Sequence, residues 1–439
     1  MAGGSSSTTT ATIASPKGAQ NYTAAFAIVT SLFFMWAVAV NMNDVLIPHL
    51  KKACDLTDFE SSLIQTAFFG AYFLMALPAG WIMKRVGYGK GILIGLGISA
   101  LGVLLFYPAA ETQVYSFFLA ALFIMACGSA TLEVAANPYV SVLGDPAKSE
   151  FRLNLAQTFN AVGAFITPLI GKHFILSGIE HTPAELAAMT AAQLAAYRGA
   201  EASQVKMPYL VLFGIYLAIM LLVYLAKLPE LKEEKLAEDD LADVGIRSVW
   251  GVRHTRLGII AQFFYVGAQV CLASFMIRYA QTMQPGMGER IAADYLFYHL
   301  VGFAVGRLVG TFLMRYVAAQ KLLSIFAVLA ALLTGLSMLV GGPLATWAAV
   351  LTGFFNSIMF PTIFALSIKN LGGKTKMASS LLVMAIVGGA MLPALMGYLS
   401  DTIGIQGAFI VPLFCYLVIV YFGIVGYKVQ PAAIASAQV

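Results

Sequence analysis

Apolar stretches about 20 residues long follow one another along nearly the whole of this chain. A helix of that length crosses the roughly 30 Å hydrocarbon core of a bilayer. Of the 439 residues, 60% are hydrophobic and only 11% are charged, whereas roughly a quarter of the residues of a soluble domain carry charge. The sequence therefore predicts an all-α integral membrane protein surrounded by lipid.

Connections rich in charge, glycine or proline divide the apolar stretches into twelve predicted spans. The first six lie at about 24–46, 61–83, 91–109, 115–141, 153–178 and 207–227. The other six lie at about 257–280, 292–314, 321–341, 344–369, 376–399 and 405–427. This pattern predicts five segments: a disordered tail at 1–22, an N-terminal bundle at 23–227, a linker at 228–256, a C-terminal bundle at 257–428 and a C-terminal tail at 429–439.

A short internal echo is consistent with duplication of a six-helix unit. The segment GWIMKRVGYGK (80–90) stands at the end of the second span, and GTFLMRYVAAQK (310–321) stands at the end of the eighth. Each has a glycine, an arginine five residues later and a lysine beyond it. Such glycine-containing echoes also arise by chance, and it is the matching position in the helix count that favours duplication.

The basic residues predict the orientation of the spans, because Lys and Arg near helix ends tend to stay in the cytoplasm. Of the 26 Lys and Arg residues, 18 fall on the side of the two termini and seven fall on the opposite side. The remaining one, Arg307, lies in the middle of a span. Both termini and the linker are therefore predicted to be cytoplasmic.

Three charged residues are the clear cases inside predicted spans: Asp44 toward the end of the first, Glu133 in the middle of the fourth and Arg307 in the middle of the eighth. A charge in the middle of a span costs at least about 2.5 to 3.5 kcal/mol on insertion scales, so such residues are functional candidates. Burial favours the neutral form of a carboxyl group, which suits a group that binds and releases protons. The alternative for each acid is a buried structural hydrogen bond.

Polar side chains recur at helical spacing near these acids and in the C-terminal half. The set comprises Asn41, Gln157, Asn160, Gln262, Tyr265, Gln269 and Asn356. An amide both donates and accepts hydrogen bonds, which matches the paired hydroxyls of a sugar. A single amide is equally well explained as a link between helices, worth about 0.6 kcal/mol on average. As a set spread over both halves, these residues favour a polar cavity.

Other chemistry has little support in the sequence. The four cysteines form no CxxC pair, and no combination of nucleophile and base stands out, so neither an enzyme nor a metal or organic cofactor is predicted. The basic residues lie in short connections rather than in a patch, which argues against nucleic-acid binding. His299 in the eighth span could relay protons, although a lone helical histidine is more often hydrogen-bonded structure.

Several blocks along the chain resemble the major facilitator superfamily, and within it the L-fucose/proton symporters and the related glucose/galactose porters. They include SLFFMWAVAVNMNDVLIPHL, LEVAANPYVSVLG, FRLNLAQTFNAVGAF, AQFFYVGAQ and FPTIFALSIKNLG. The resemblance implies two pseudo-symmetric six-helix bundles that rock about a midplane site, in a monomer of the bacterial cytoplasmic membrane. It also implies that Asp44 and Glu133 are the protonatable pair and that Asn41, Gln157 and Asn160 face the sugar.

The resemblance leaves the sugar open. Phe360 stands where a fucose symporter has tyrosine, which is closer to the glucose/galactose branch, while Glu133 is closer to the fucose type. We expect proton-coupled uptake of L-fucose or a related hexose, with a glucose/galactose or N-acetylhexosamine porter as the alternative. A drug/proton antiporter and a sugar receptor that does not transport are more remote hypotheses.

Overall fold

The computed structural model describes residues 22–54, 56, 58–174, 185, 188–229 and 245–429, and the regular structure within these ranges is helical throughout. The predicted tails and the greater part of the predicted linker lie outside these residues. Ten helical stretches are long and apolar enough to cross a membrane. Together with one polar helix and one shorter apolar helix, they match the twelve predicted spans and confirm the all-α membrane architecture.

The N-terminal half contributes the first seven helices. They are α1 (Tyr22–Cys54), α2 (Asp58–Val86), α3 (Tyr88–Thr112), α4 (Tyr115–Val142), α5 (Ser149–Phe174), α6 (Ala191–Gln204) and α7 (Lys206–Ala226). Helix α6 lies between the fifth and sixth predicted spans and is largely exposed. It begins with a capping box, in which the side chains of Thr190 and Gln193 bond each other's backbone N–H groups.

The C-terminal half contributes the remaining helices of the described chain. They are α8 (Ile246–Gly251), α9 (Arg253–Met283), α10 (Glu289–Leu313), α11 (Ala319–Leu339), α12 (Gly342–Asn356), α13 (Met359–Ser367), α14 (Thr375–Met384), α15 (Gly388–Ala408) and α16 (Ile410–Tyr421). A π-helical turn, Phe422–Gly426, extends α16. Helices α8 and α9 begin inside the predicted linker, so the chain is helical before the expected span.

Two of the predicted spans are interrupted helices. The tenth is divided between α12 and α13 at Ser357 and Ile358, and Pro361 follows in the first turn of α13. Proline disfavours a helical residue before it and lacks an N–H donor, so the α-helix ends before it and restarts around it. The eleventh span is divided between α14 and α15 by the 3-10 turn Ala385–Val387. The first interruption leaves the Ser357 carbonyl available in the protein interior.

Small residues bring α3 and α4 into close contact. A Cβ atom added at Gly128 would lie 2.3 Å from the backbone nitrogen of Ser99, so only glycine permits this approach. The close packing buries every residue of α4 from Gly128 to Ser141. An ionisable side chain in that stretch is therefore held away from lipid and water.

One contact between the two halves lies at the end of the molecule where α2, α4 and α7 end and α3, α5 and α9 begin. We call this end the linker side, because residues 227–229 and 245–252, which flank the greater part of the predicted linker, lie there. The Nζ atom of Lys376 lies 5.2 Å from the ring centre of Tyr88, and the Arg315 guanidinium lies 5.5 Å from that of Phe151. Both contacts join residues of opposite halves, so the two halves touch at the linker side.

Candidate functional site

The carboxyl group of Glu133 lies in the interior of the N-terminal half, where its residue is only 3% exposed. The Tyr72 hydroxyl of α2 and the Asn137 amide, one turn along α4, lie beside it. The Trp36 indole nitrogen of α1 donates to the Tyr72 hydroxyl at 3.2 Å. The acid predicted from the sequence is therefore buried among neutral polar groups, and no described Lys or Arg side chain forms an ion pair with it.

The second predicted acid, Asp44, lies in the helical range of α1, and its side chain is outside the described residues. Its neighbour Asn41 is half-buried and donates from Nδ2 to the Ala37 carbonyl at 2.7 Å, within the same helix. In this arrangement the Asn41 oxygen is the group that could accept a hydrogen bond from a ligand.

The polar residues of α5 have partners on three different helices. Asn154 donates to the Thr362 hydroxyl of α13 at 3.1 Å, and Gln157 donates to Oδ1 of Asn137 at 3.2 Å. Asn160 donates to the Phe33 carbonyl of α1 at 3.2 Å. A step of three residues rotates the side chain backwards around a helix by about 60°, so these residues fan out across a broad inward face of α5.

Arg307 of α10 joins the two halves in the interior, and its residue is only 3% exposed. Its Nε donates to the Ser357 carbonyl at 2.7 Å, a group that the break between α12 and α13 makes available. Its Nη1 donates to the Gln157 backbone carbonyl at 3.0 Å and lies 3.4 Å from the side-chain Oε1 of the same residue. The guanidinium also lies 4.7 Å from the centre of the Phe303 ring. No carboxylate among the described residues forms an ion pair with it.

The other predicted residues of the C-terminal half form a wall of aromatic and amide groups. The Tyr265 hydroxyl of α9 donates to the Asn356 carbonyl at 3.1 Å, and the Tyr416 hydroxyl of α16 donates to Oδ1 of the same asparagine at 2.7 Å. The ring centre of Phe360 lies 6.2 Å from that of Tyr265 and 6.3 Å from that of Phe364. This wall places an aromatic surface beside amide groups.

Gln262 lies one turn before Tyr265 on α9, and it is fully buried. Neither its Nε2 nor its Oε1 has a hydrogen-bond partner among the described residues, and Nδ2 of Asn356 is also unpaired. An unpaired buried amide costs about 1 to 3 kcal/mol. These atoms are therefore available to a polar ligand. Gln269, two turns further along α9, is half-buried.

His299 is buried against the close contact between α10 and α12. Its Nδ1 has no hydrogen-bond partner among the described residues, and its ring lies beside the backbone of Ala349 and Val350. A Cβ atom added at Gly353 would lie 3.0 Å from the imidazole Cγ. These contacts favour the structural interpretation of His299 over proton relay.

The structure brings Glu133, Gln157 and Arg307 into one polar network and places Tyr265, Asn356 and Phe360 together in the C-terminal wall. Sequence reasoning missed Trp36, Tyr72 and Tyr416 as members. Each is an aromatic residue in an apolar span, where such residues usually only pack. The signal was weak: Trp and Tyr carry a polar atom that needs a partner when buried.

Comparison with known proteins agrees with these features. The sequence model of the Major Facilitator Superfamily matches residues 24–386. The chain is 43% identical over 407 residues to the L-fucose-proton symporter of Escherichia coli, covering 92% of this chain and 93% of the symporter. It is 42% identical over 410 residues to a glucose/galactose transporter of Brucella abortus, covering 93% of this chain and 95% of the transporter.

A solved structure of similar sequence has the same fold. The crystal structure of FucP, a transporter of the same superfamily in the outward conformation, superposes with a TM-score of 0.86 at 42% identity. The match covers 92% of this chain and 99% of that one. The proton:xylose symporter XylE, at 13% identity, gives a TM-score of 0.69 and shows the shared fold alone.

Proposed function

The chain belongs to the major facilitator superfamily, and on that premise we propose that it is a proton-coupled symporter, which takes up L-fucose or a related hexose by alternating access. Two relatives that match it over nearly their whole length are named as sugar transporters. The residues described above supply the two things that such a carrier needs: a group that binds a proton and a polar site between two bundles.

The observation that carries the proposal is the position of Glu133. Its carboxyl group is buried beside neutral polar side chains, so gaining or losing a proton changes the charge at that point in the interior. The hydrogen bond from Gln157 to Asn137 and the contacts of Arg307 then connect that point to the other half. A change of protonation at Glu133 can thus alter the contact between the two halves.

In the proposed cycle, a proton from outside neutralises Glu133 or Asp44, and the sugar then binds between the halves. The loaded carrier closes on the outer side and opens on the inner side, where the sugar and the proton leave. Coupling requires that the sugar binds more tightly to the protonated carrier. The proposed sugar contacts are those predicted from the sequence: Asn41, Gln157, Asn160, Gln262, Tyr265, Gln269, Arg307, Asn356 and Phe360.

The sugar is L-fucose or a hexose close to it. The Phe360 ring stands beside Tyr265 and presents an apolar surface without a hydroxyl. A glucose/galactose or N-acetylhexosamine porter is the alternative within the same family.

The proposed setting is the bacterial cytoplasmic membrane, with the linker side and both termini in the cytoplasm. The proposed working unit is the monomer, because each chain contains both halves and the site between them. The proton is the coupling ion, and no other cofactor is part of the proposal.

The function is tested by reconstituting the purified protein in liposomes and imposing a pH gradient, acidic outside. The panel contains L-fucose, D-galactose, D-glucose and N-acetylglucosamine. We expect at least one sugar to accumulate above its external concentration and a protonophore to abolish the accumulation. Binding without flux would identify a receptor, and efflux of lipophilic cations without sugar uptake would identify an antiporter; either result would overturn the proposal.

A further inference from the structure

Hydrogen-bond donors converge on Glu133 from two directions, and the first direction begins at Trp36. An indole nitrogen can only donate, so in its bond with Tyr72 the phenol oxygen is the acceptor. The Tyr72 hydroxyl hydrogen is then free to point at the neighbouring Glu133 carboxyl. The chemistry of tryptophan therefore makes Tyr72 a donor toward this acid.

The second direction begins at Arg307, which also can only donate. Its Nη1 points toward Oε1 of Gln157, and Nε2 of Gln157 donates to Oδ1 of Asn137. The Asn137 oxygen is thus occupied as an acceptor. Its Nδ2 has no hydrogen-bond partner among the described residues, and the Glu133 carboxyl is the acceptor nearby. Two amides therefore lie, in one orientation, between a fixed cation and an ionisable carboxyl group.

The ionised carboxylate is the form that such donors favour, because it only accepts hydrogen bonds. Arg307 is a buried cation without a paired carboxylate among the described residues. A negative charge on Glu133, at the other end of the two amides, therefore stabilises it. The oriented amides of Gln157 and Asn137 transmit part of that stabilisation between Arg307 and Glu133.

Among the residues whose side chains the structure describes, few other titratable groups neighbour Glu133 and Arg307. At Glu133 they are Tyr72 of α2 and, behind it, Tyr216 of α7, while Asp44 lies on the neighbouring α1. At Arg307 the neighbouring titratable group is Tyr265 of α9. Charges on the helices packed nearby lie at the linker side: Lys376 of α14 and Arg315 after α10 lie against aromatic rings, and Glu150 of α5 is paired with Lys369.

On the basis of the proposed symport, we propose that Arg307 is a positioning residue for proton coupling, which acts through the amides of Gln157 and Asn137 to stabilise the ionised form of Glu133. A sugar hydroxyl that bonds to the Gln157 amide competes with its hydrogen bonds to Arg307 and Asn137. Sugar binding then weakens the stabilisation of the carboxylate and favours the protonated carrier, as coupling requires. Protonation and sugar binding are thereby linked through one side chain.

The test is the pH dependence of equilibrium sugar binding, with the sugar that the wild type accumulates, from mildly acidic to alkaline pH. Loss of Arg307 removes a group that favours the carboxylate, so Glu133 holds its proton to a higher pH. We expect Arg307→Gln to move the midpoint at which binding is lost upward by about one pH unit, a tenfold change in proton affinity. We expect the midpoint of Arg307→Lys, which keeps the charge, to lie between those of the wild type and Arg307→Gln.

Two further variants separate this role from a structural one. Asn137→Leu keeps the branched shape of the side chain and removes the amide next to Glu133, so it should move the midpoint in the same direction even if Arg307→Gln fails to fold. In a Glu133→Gln background, Arg307→Gln should produce no further shift. The control is Arg278→Gln, which changes an exposed arginine stacked on Phe275 and should leave the profile unchanged.

A wild-type midpoint in both Arg307→Gln and Asn137→Leu would overturn the inference, as would an undiminished shift in the Glu133→Gln background. These failures differ from failure of the proposed function, in which the wild type itself would accumulate no sugar.

Discussion

Lys369 and Glu150 form an ion pair between the two halves, with 2.9 Å between Nζ of the lysine and Oε1 of the glutamate. Glu150 is buried in the first turn of α5, and Lys369 follows α13. One turn along α5, Asn154 donates to the Thr362 hydroxyl of α13. The ion pair and this hydrogen bond hold the linker side closed.

Breaking the ion pair should increase opening at the linker side. We expect Lys369→Met to raise the rate at which Ser380→Cys, in a cysteine-free background, reacts with an alkylating reagent, because Ser380 is buried beside Gly80 of the other half. A loss of about 1 kcal/mol corresponds to a roughly fivefold increase in the open population. Lys374→Met, at a lysine of the same connection, is the control. The charge exchange of Glu150→Lys with Lys369→Glu should restore the slow rate, and an unchanged rate in Lys369→Met would show that the pair does not contribute to closure.

Tyr72→Phe should make Glu133 easier to protonate. The variant removes the hydroxyl that lies beside the carboxyl group and keeps the ring, so the ionised form loses a donor. We expect sugar binding to persist to higher pH than in the wild type, measured as the pH midpoint of equilibrium binding. Tyr107→Phe, at an exposed tyrosine of α3, is the matched control. A midpoint that moves to lower pH would contradict the assigned direction of the Tyr72 hydrogen bond.

Gln262→Leu should separate ligand binding from stability. Both amide atoms of Gln262 are buried without a partner, so an apolar residue of similar size relieves their desolvation cost. We expect an equal or higher unfolding temperature in detergent together with at least a tenfold loss of sugar affinity, about 1.4 kcal/mol. Asn160→Leu is the comparison, because it removes a formed bond to the Phe33 carbonyl and should lower the unfolding temperature. A Gln262→Leu protein that unfolds earlier but binds sugar normally would make this amide a structural link.

Gly306→Ala should disrupt the contact between α10 and α12. A Cβ atom at this position would lie 2.1 Å from the Phe354 carbonyl oxygen, and backbone cannot move aside easily. We expect a loss of about 1 to 3 kcal/mol of stability, measured as a lower unfolding temperature. Gly335→Ala adds the same methyl group on α11 where nothing lies within 4 Å, and it should be neutral or stabilising. Equal effects of the two substitutions would show that the helix contact is looser than described.

The helical architecture could be predicted because each span carries its own signal. Length and hydropathy are local properties, so the positions of α3, α4 and α11 follow closely from apolar runs bounded by charge and glycine. The break after Asn356 could not be located in the same way, because Pro361 allows a kinked helix as readily as two separate ones. Helix α6 is too short and too polar to span a membrane, and its alanines and its capping residues indicate it.

The site was predictable in part, for a physical reason. An ionisable residue in hydrocarbon is costly wherever its helix packs, and this singled out Glu133 and Arg307 before any neighbour was known. Partners across helices depend on which faces meet, and periodicity within one helix does not contain that information. The bond from Gln157 to Asn137 and the role of Tyr72 therefore emerged only from the structure. The roles assigned to Asp44 and to the sugar contacts stay predictions.

The most direct test of proton coupling compares two kinds of transport in Glu133→Gln proteoliposomes. Glutamine mimics the protonated acid but cannot release a proton, so sugar counterflow, which needs no net proton movement, should persist. Accumulation driven by an imposed pH gradient should fail. Accumulation equal to that of the wild type would contradict the assignment of Glu133 as the coupling group.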